Sequence, residues 1–222
     1  MLKYTYLGAI LIILAASCSP SNQASDFTRG EIRTIEAADS IMRVLTIDDP
    51  ADCLVLRAPS HDLSDDALLS SDYEKLAELM VATVTHPSQD GVGIAGPQVG
   101  LNRRVVAVQR FDKEPVLRAG RLDHPFEVYP NIRIVWASDS LAAGPEGCLS
   151  VPDRRGNVLR STEIVIEYAD ITGLKDADSK SNPAQPAGGT VPIVRDTVSG
   201  FTAVIFQHEI DHLERVLYID RL

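Results

Sequence analysis

HEIDHL, residues 208–213, lies near the C-terminus and places two histidines four positions apart, with a glutamate directly after the first. Positions i and i+4 lie on one face of an α-helix, so the imidazoles of His208 and His212 would leave the same side. Glu209 lies next to that face, as in metal sites that carry a general base beside their ligands. The alternative is a pair of histidines satisfied within a core and a glutamate on the surface.

The residues around this stretch favour a buried helix. From about Gly200 to Arg215 the sequence is apolar on several sides, which is typical of a helix enclosed by other elements. A second helix is predicted over residues 71–84, where a capping box would pair Ser71 with Glu74. The apolar residues on one face of this helix are Leu76, Leu79, Met80 and Val84.

Three β-branched stretches between the two helices predict strands. They cover residues 103–109, 131–138 and 163–171. Residues 172–190 are rich in Gly, Pro, Ser and Asp, which predicts a long loop or hairpin excursion. An early helix, several strands and a late buried helix together predict an α+β fold.

The composition favours one sizeable domain and excludes one class of partner. The chain has 222 residues, of which 45% are hydrophobic, enough for one core but too few for two comfortable domains. The formal net charge is −10. Because a nucleic-acid-binding surface needs a basic footprint, we expect no DNA or RNA partner.

The N-terminus indicates export. The apolar run from Tyr6 to Ala16 is shorter than the ~20 residues that a membrane span needs, and it has the length and flanks of a signal peptide. The letters LAASC, ending at Cys18, resemble a bacterial lipoprotein signal, which implies that Cys18 is lipidated. We expect a signal peptide over residues 1–17, a flexible tether over 18–38 and a catalytic domain over 39–222.

This division predicts an exported lipoprotein, anchored to a membrane through Cys18, on the periplasmic side or in the outer membrane. An uncleaved anchor, a plain secretory signal and a cytoplasmic enzyme are the alternatives. In an oxidising compartment a disulfide between Cys53 and Cys148 is conceivable. We expect Cys53 instead to be a small buried residue.

Two histidines do not complete a catalytic metal site, which usually takes three protein ligands. The other histidines, His61, His86 and His124, form no clear protease pattern. EGCLSVP, residues 146–152, offers Cys148, whose thiolate would be a good soft ligand. A buried structural cysteine is the alternative interpretation.

GVGIAGPQVG, residues 91–100, offers a further component of the site. Its glycines allow the backbone to approach a ligand closely. The side chain of Gln98 could donate an amide hydrogen to a developing oxyanion. Taken alone, the same stretch is equally a simple turn.

Together, the three stretches resemble the peptide deformylase family. Its pattern is G-x-G-x-A-A-x-Q, then E-G-C-L-S, then H-E-x-x-H, and this chain shows GVGIAGPQ, EGCLS and HEIDH in that order. The resemblance covers roughly Ser40 to Leu222 and implies a deformylase-like fold, with antiparallel or mixed strands around a central buried helix that carries HExxH. It implies hydrolysis of N-formylmethionyl peptides with release of formate. We expect the enzyme to be a monomer.

The resemblance implies that Cys148, His208 and His212 hold one divalent metal ion and that Glu209 is the general base. It implies ferrous iron as the native metal. Because an exported iron–thiolate site would face oxidation, Zn²⁺ is a plausible occupant here.

Other matching residues would act around this centre. The Gln98 side chain and the Leu149 backbone N–H would hold the oxyanion, and Glu146 would fix the cysteine loop. The residues expected to bind or line the substrate are Val92, Gly93, Arg155, Val204 and Ile205.

Departures from the family pattern include one residue and one insertion. Gly96 stands where alanine is usual, which we expect to loosen the loop beside Gln98. An insertion over about residues 174–195 lengthens a hairpin. A related exported metallo-amidase or peptidase, and a non-catalytic binder of formylated peptides, are the competing functions.

Overall fold

The computed structural model describes residues 24–89, 91–118, 120–172 and 190–222. The predicted signal peptide, Cys18 and the part of the predicted insertion up to residue 189 lie outside the described residues. The described helices are α1 (Arg29–Glu36), α2 (Pro50–Leu56), α3 (Asp65–Leu68), α4 (Ser71–Val84) and α5 (Gly200–Leu213). None of these helices has the length and apolar character needed to cross a bilayer.

The strands form small antiparallel sheets. They are β1 (Gly93–Ala95), β2 (Val105–Gln109), β3 (Val116–Arg118), β4 (Arg121–Asp123), β5 (Phe126–Pro130), β6 (Arg133–Ala137), β7 (Leu141–Cys148), β8 (Val151–Ser161), β9 (Glu163–Ala169) and β10 (Ile193–Ser199). The sheet orders are β1-β2-β5, β10-β9-β6, β3-β4 and β7-β8. The fold is therefore α+β, as predicted, and the three predicted strand regions contain β2, β6 and β9.

Strand β2 separates the two longest helices. Its side chains alternate between two apolar clusters, because successive residues of a strand point to opposite faces. Val105 and Ala107 belong to the cluster that contains the buried face of α4. Val106 and Val108 belong to the cluster that contains Phe206 and other residues of α5. The sheet β1-β2-β5 therefore lies between the two helices.

Helix α4 confirms the predicted span, but not its predicted cap. The capping side chain is that of Ser70, whose Oγ accepts a hydrogen bond from the Tyr73 backbone N–H at 3.2 Å. Ser71 is the first helical residue. Only Ser71 has the glutamate of a capping box three residues later, so the pattern placed the cap one residue too far along the chain. The predicted apolar face of the helix is buried.

Helix α1 corrects the predicted tether. Residues 29–36 are helical, and Thr28 and Glu31 form a capping box at the N-terminus of the helix. The side chain of Ile35 is fully buried, and Glu31 contacts Arg103, which lies two residues before strand β2. The polar composition expected of a tether belongs to the solvent-facing side of this short helix.

Helix α5 follows directly on strand β10. Gly200 has φ of 62°, a left-handed conformation that favours glycine and lets the strand turn sharply into the helix. Ala203, Phe206 and Ile210 are buried against β2 and β9 in one cluster. The packing explains why this segment is apolar on several sides. His208 and His212 lie in its C-terminal half.

Candidate active site

The β7–β8 hairpin brings a cysteine to helix α5. The register of this hairpin shifts between Glu146 and Cys148, which pairs with Val151. The Sγ atom of Cys148 lies 3.2 Å from Nε2 of His212. Ligand atoms of Cys148, His208 and His212 all lie within 4.8 Å of one another. Cys53 and Cys148 are both free thiols, so the conceivable disulfide is absent between these two described residues.

The donor set fits a divalent transition metal. One sulfur and two imidazole nitrogens suit zinc or ferrous iron by ligand softness, and His212 is almost fully buried. The Oε2 atom of Glu209 is also buried and makes no hydrogen bond within the described part of the chain. A buried carboxylate beside three convergent donors matches a metal centre with an adjacent base better than a core polar cluster, whose members would be paired.

Glu146 connects the cysteine hairpin to the first histidine. Its carboxylate lies 2.8 Å from Nδ1 of His208 and accepts hydrogen bonds from Arg160 at 2.7 and 2.9 Å. Arg160 also donates to Asp211 on α5 at 2.5 Å. Such a carboxylate fixes the tautomer and orientation of a ligating imidazole. Burial alone raises the pKa of Glu146, but the hydrogen bonds from Arg160 and His208 outweigh it and lower the pKa to about 2.

The electrostatics of the cluster favour a cation. Burial lowers the pKa of His208, yet Cys148, Glu146 and Glu209 together raise it to about 10. Burial and the nearby His208 charge lower the pKa of His212. The anionic groups around His208 therefore stabilise positive charge at this point, which a divalent ion would also supply.

The pKa of Glu209 lies close to neutrality. Burial raises its pKa to about 7, with His208 lowering it and Glu146 raising it further. A carboxylate with a pKa close to neutrality can both accept and return a proton at physiological pH.

The site opens into a cavity of about 790 Å³. Its lining includes the predicted residues Val92, Gly93, Gln98, Glu146, Cys148, Leu149, Arg155, Val204, Ile205, His208 and Glu209. His212 is not among the residues that line the cavity, and it contacts Cys148 through its Nε2 atom. The structure therefore brings every described residue of the predicted site to one place.

Gln98 is held in position by its neighbours. Its Oε1 accepts a hydrogen bond from the Ala95 backbone N–H at 2.8 Å. Its Nε2 lies 3.2 Å from Ser150 Oγ and 3.6 Å from Cys148 Sγ. The side-chain amide is thus oriented toward the cysteine, on a short 3-10 turn over Gly96–Val99.

The same turn corrects the expectation about Gly96. A methyl group built on Gly96 would lie 2.7 Å from the carbonyl oxygens of both Leu101 and Arg103. The turn is therefore closely packed rather than loosened by the missing methyl group.

Sequence reasoning missed several residues of the site. Arg160 sits at a buried, alternating position of β8, and an arginine at an inward position was the signal available for it. Tyr218 stacks against His208 with a centroid distance of 6.1 Å, and no local pattern indicates this contact. The other missed residues are Ser150, which bonds Gln98, and the cavity-lining Arg154 and Phe201.

Comparison with known proteins gives a consistent result. A model of the polypeptide deformylase family matches residues 41–178 and 192–222. The unmatched residues between these ranges fall within the predicted insertion. A peptide deformylase of Leptospira biflexa is 32% identical over 184 residues, which cover 82% of this chain and 88% of that protein. Peptide deformylase 2 of Gloeobacter violaceus is 35% identical over 168 residues, with coverages of 76% and 74%.

The fold has a solved counterpart. The structure of a class I type b peptide deformylase from Acinetobacter baumannii, with Met-Ala-Ser bound, superposes with a TM-score of 0.63 at 30% identity. The match covers 82% of this chain and 98% of that one. With its three motifs converging on one cavity, the chain belongs to the polypeptide deformylase family.

Proposed function

We propose that this deformylase hydrolyses the formyl amide of N-formylmethionyl peptides and releases formate, using one metal ion and Glu209. One observation carries the proposal: Cys148, His208 and His212 converge beside the buried carboxylate of Glu209, at the wall of a cavity large enough for a peptide. Helix α5, with its HExxH motif, is the element around which the site is organised.

Cys148, His208 and His212 would hold the metal. When bound, a divalent ion would act as a Lewis acid toward the formyl carbonyl and make water acidic enough to be deprotonated near neutral pH. Glu146 would keep His208 in the orientation that ligation needs, because its carboxylate contacts Nδ1 and leaves the other ring nitrogen for the site.

Glu209 would move the proton. Its carboxylate would accept a proton from the attacking water and pass it to the leaving amine, for which a pKa of about 7 is well matched. Gln98 Nε2 and the Leu149 backbone N–H would stabilise the negative charge that develops on the formyl oxygen. The position of the Gln98 amide beside Cys148 supports this role.

The apolar part of the cavity would take the methionine side chain. Val204 and Ile205 lie one turn before His208 on α5, and both line the cavity with Leu149 and Phe201. Phe201 is 57% exposed, which places an aromatic ring where a ligand could cover it. Burying an apolar side chain there would contribute to binding in proportion to the area removed from water.

The formate-release assay tests this function. Purified, metal-supplemented protein is incubated with formyl-Met-Ala-Ser, and formate is measured. We expect turnover in the wild type and at least a ~100-fold lower rate in Glu209→Ala, because a general base typically contributes about that much or more. No formate from metal-replete wild-type protein would refute the proposal.

The metal is proposed to be zinc in the native compartment, although iron is the alternative that the family resemblance implies. An exported iron–thiolate centre would be vulnerable to oxidation outside the cytoplasm, whereas zinc has no redox chemistry. Elemental analysis of protein purified from its native compartment, without added ions, decides between them. Mostly iron would contradict the proposal.

We further propose that Cys18 is lipidated and anchors the enzyme outside the cytoplasm. Ser25 already pairs with Leu63 and accepts a hydrogen bond from Arg103, so six residues, 19 to 24, would separate the lipid from the folded part. A fully extended segment of this length spans at most about 22 Å, which would keep the active site near the membrane surface. Cell fractionation and globomycin-sensitive processing of the chain test the anchor, with Cys18→Ser as the control.

A further inference from the structure

We propose that Arg154 and Arg155 form a cationic rim of the cavity that selects formylated peptides carrying a carboxylate close to the formylmethionine. This inference rests on the proposed function and adds a substrate class to it. The favoured substrates are short peptides, whose C-terminal carboxylate lies within a few residues of the formyl group. Arg155 has a counterpart in the family pattern, whereas Arg154 lies outside the motifs that carry the resemblance.

The two arginines are placed beside the metal ligand. Both line the cavity, on the part of β8 that faces Gly147 across the hairpin. A methyl group built on Gly147 would lie 3.6 Å from Cγ and 3.9 Å from Cζ of Arg155, and 3.6 Å from the Arg154 carbonyl oxygen. Gly147 directly precedes Cys148, so the guanidinium of Arg155 lies only a short distance from the reacting end of the cavity.

Neither guanidinium is used elsewhere in the described structure. Both side chains are exposed, and neither makes a hydrogen bond or an ion pair with a residue in the described ranges. Other arginines of this acidic protein do contact carboxylates; examples are Arg103, Arg110 and Arg160. The chain has a net charge of −10, so two adjacent cations without such a partner make a local region of positive potential on a protein that is acidic as a whole.

The carboxylates that line the cavity leave this rim with a net positive charge. Glu146 is bonded to Arg160 and His208, and Glu209 is buried beside the metal-binding cluster. Asp153 lines the same cavity and is exposed, but it forms no ion pair with either arginine in the described structure. An anionic group of the substrate is therefore the natural counterpart of the two guanidiniums, since their planar donor forks match a carboxylate.

The geometry of a peptide favours a nearby carboxylate. An extended chain advances about 3.3–3.6 Å per residue, so a carboxylate two residues after the formylmethionine would lie roughly 10 Å from the reacting carbonyl. A C-terminal carboxylate and an acidic side chain offer the same chemistry at this distance. If the C-terminal carboxylate is recognised, the rate advantage should depend on the length of the peptide. If an acidic side chain is recognised, it should not.

The test compares four substrates in which the presence of a carboxylate and its distance from the formyl group are varied. They are formyl-Met-Ala-Ser with a free carboxylate, the same peptide as its C-terminal amide, formyl-Met-Ala-Glu amide, and the free acid extended by six glycines after serine. We expect the tripeptide acid to exceed its amide in kcat/KM by about fivefold, which is the scale of exposed ion pairs. The extended acid should behave like the amide. A high rate for the glutamate amide would identify an acidic side chain as a second accepted source.

Substitutions of Arg154 test whether its guanidinium causes the preference for the free acid over the amide. Arg154→Gln should reduce the acid-to-amide ratio to below about twofold, and Arg154→Lys should retain part of it, because the charge remains without the fork. The matched control is Arg29→Gln, which removes one exposed charge on α1, away from the cavity, and should keep the full ratio. The wild-type ratio should fall as salt is raised, since exposed charges are screened.

Failure of this inference is distinct from failure of the proposed function. Equal kcat/KM values for the acid and the amide, with rapid formate release, would contradict the proposed selection by the rim. The same result would still support the deformylase activity. If formate release is absent, calorimetry with the peptides Met-Ala-Ser acid and Met-Ala-Ser amide provides a readout that needs no turnover. Equal affinities for the two peptides would overturn the rim, and tighter binding of the acid, lost in Arg154→Gln, would support it.

Discussion

The α-carbon of Gly93 faces the carboxylate of Glu209 at a distance that excludes any side chain. A methyl group built on Gly93 would lie 2.5 Å from Oε1 and 2.9 Å from Cγ of Glu209. Glu209 is only 4% exposed, so a methyl group at residue 93 would have to displace its carboxylate within the buried site. The first strand of the sheet thus restricts the position of the proposed base, and glycine is the residue that permits this approach.

Replacing Gly93 by alanine should therefore lower activity more than stability. The added methyl group would push the Glu209 carboxylate from its position, and we expect kcat/KM for formyl-Met-Ala-Ser to fall by about 100-fold. Thermal unfolding should change little, because the displaced group is the end of a side chain. Gly144→Ala is the matched control, since no atom lies within 4 Å of a methyl group at that position. A Gly93→Ala variant with the same kcat/KM as the wild type would contradict the proposed contact.

Replacing Gly96 by alanine should instead lower stability more than activity. The methyl group would meet two backbone carbonyl oxygens, those of Leu101 and Arg103, at 2.7 Å, and backbone cannot move aside as a side chain can. We expect the free energy of unfolding to fall by about 1–3 kcal/mol, the usual cost of overpacking. Urea unfolding followed by circular dichroism measures this loss. A variant as stable as the wild type would show that the turn adjusts without strain.

The proposed role of Cys148 as a metal ligand can be tested by comparing the two free cysteines. Cys148→Ser should lower the metal bound per chain after dialysis against a mild chelator, because a hydroxyl is a much poorer ligand than a thiolate for zinc or iron. Cys53→Ser removes the other described free thiol, on α2, and should retain the wild-type metal content. Elemental analysis of both variants gives the comparison. Full metal retention by Cys148→Ser would remove Cys148 from the ligand set.

The carboxylate behind His208 should matter for the metal as well. Glu146→Gln keeps the size of the side chain but removes the charge that contacts Nδ1 of His208. We expect metal affinity to fall by about 10–100-fold, as is typical when such a supporting group is lost. Competition with a chelating dye measures it. The control is Glu167→Gln, which alters a surface ion pair with Arg195 and should leave metal affinity unchanged.

The parts of this molecule that could be predicted from sequence are those set by local spacing. The 3.6-residue periodicity of 71–84 gave the extent of α4, and the i, i+4 spacing put His208 and His212 on one face. The prediction that Cys148 belongs to the same site depended on the order of the three motifs, because no local rule connects residues about 60 positions apart in the sequence. Where two serines could cap α4, the local pattern supported the wrong one.

The remaining parts depend on tertiary contacts. Helix α1 is short and polar outside, and its place in the fold follows from Ile35 in the core and from the Glu31–Arg103 pair. The contacts of Arg160 and of Tyr218 with the site join segments that carry no shared pattern. Such contacts are fixed by how elements pack, which propensity and periodicity do not encode.

The Glu31–Arg103 pair also predicts how stability depends on pH. The Arg103 side chain is 5% exposed and the Glu31 side chain 16% exposed, and their closest atoms are 2.6 Å apart. Burial alone would raise the pKa of Glu31, but the hydrogen bonds from Arg103 and Thr28 and the Arg103 charge outweigh it, so the pKa is lowered. The unfolded chain therefore binds this proton more readily than the folded protein does.

Glu31→Gln should lower the free energy of unfolding by about 2 kcal/mol near neutral pH, since a buried guanidinium loses its counter-charge. The contribution of a carboxylate with a lowered pKa is complete above its unfolded pKa of about 4 and is lost as the pH falls through the folded value. The difference between wild type and variant should thus shrink in acid. Urea unfolding from pH 7 to pH 3 measures it, with Glu36→Gln on the exposed face of α1 as the control. A difference that stays constant over this range would mean that the ion pair does not supply the stability.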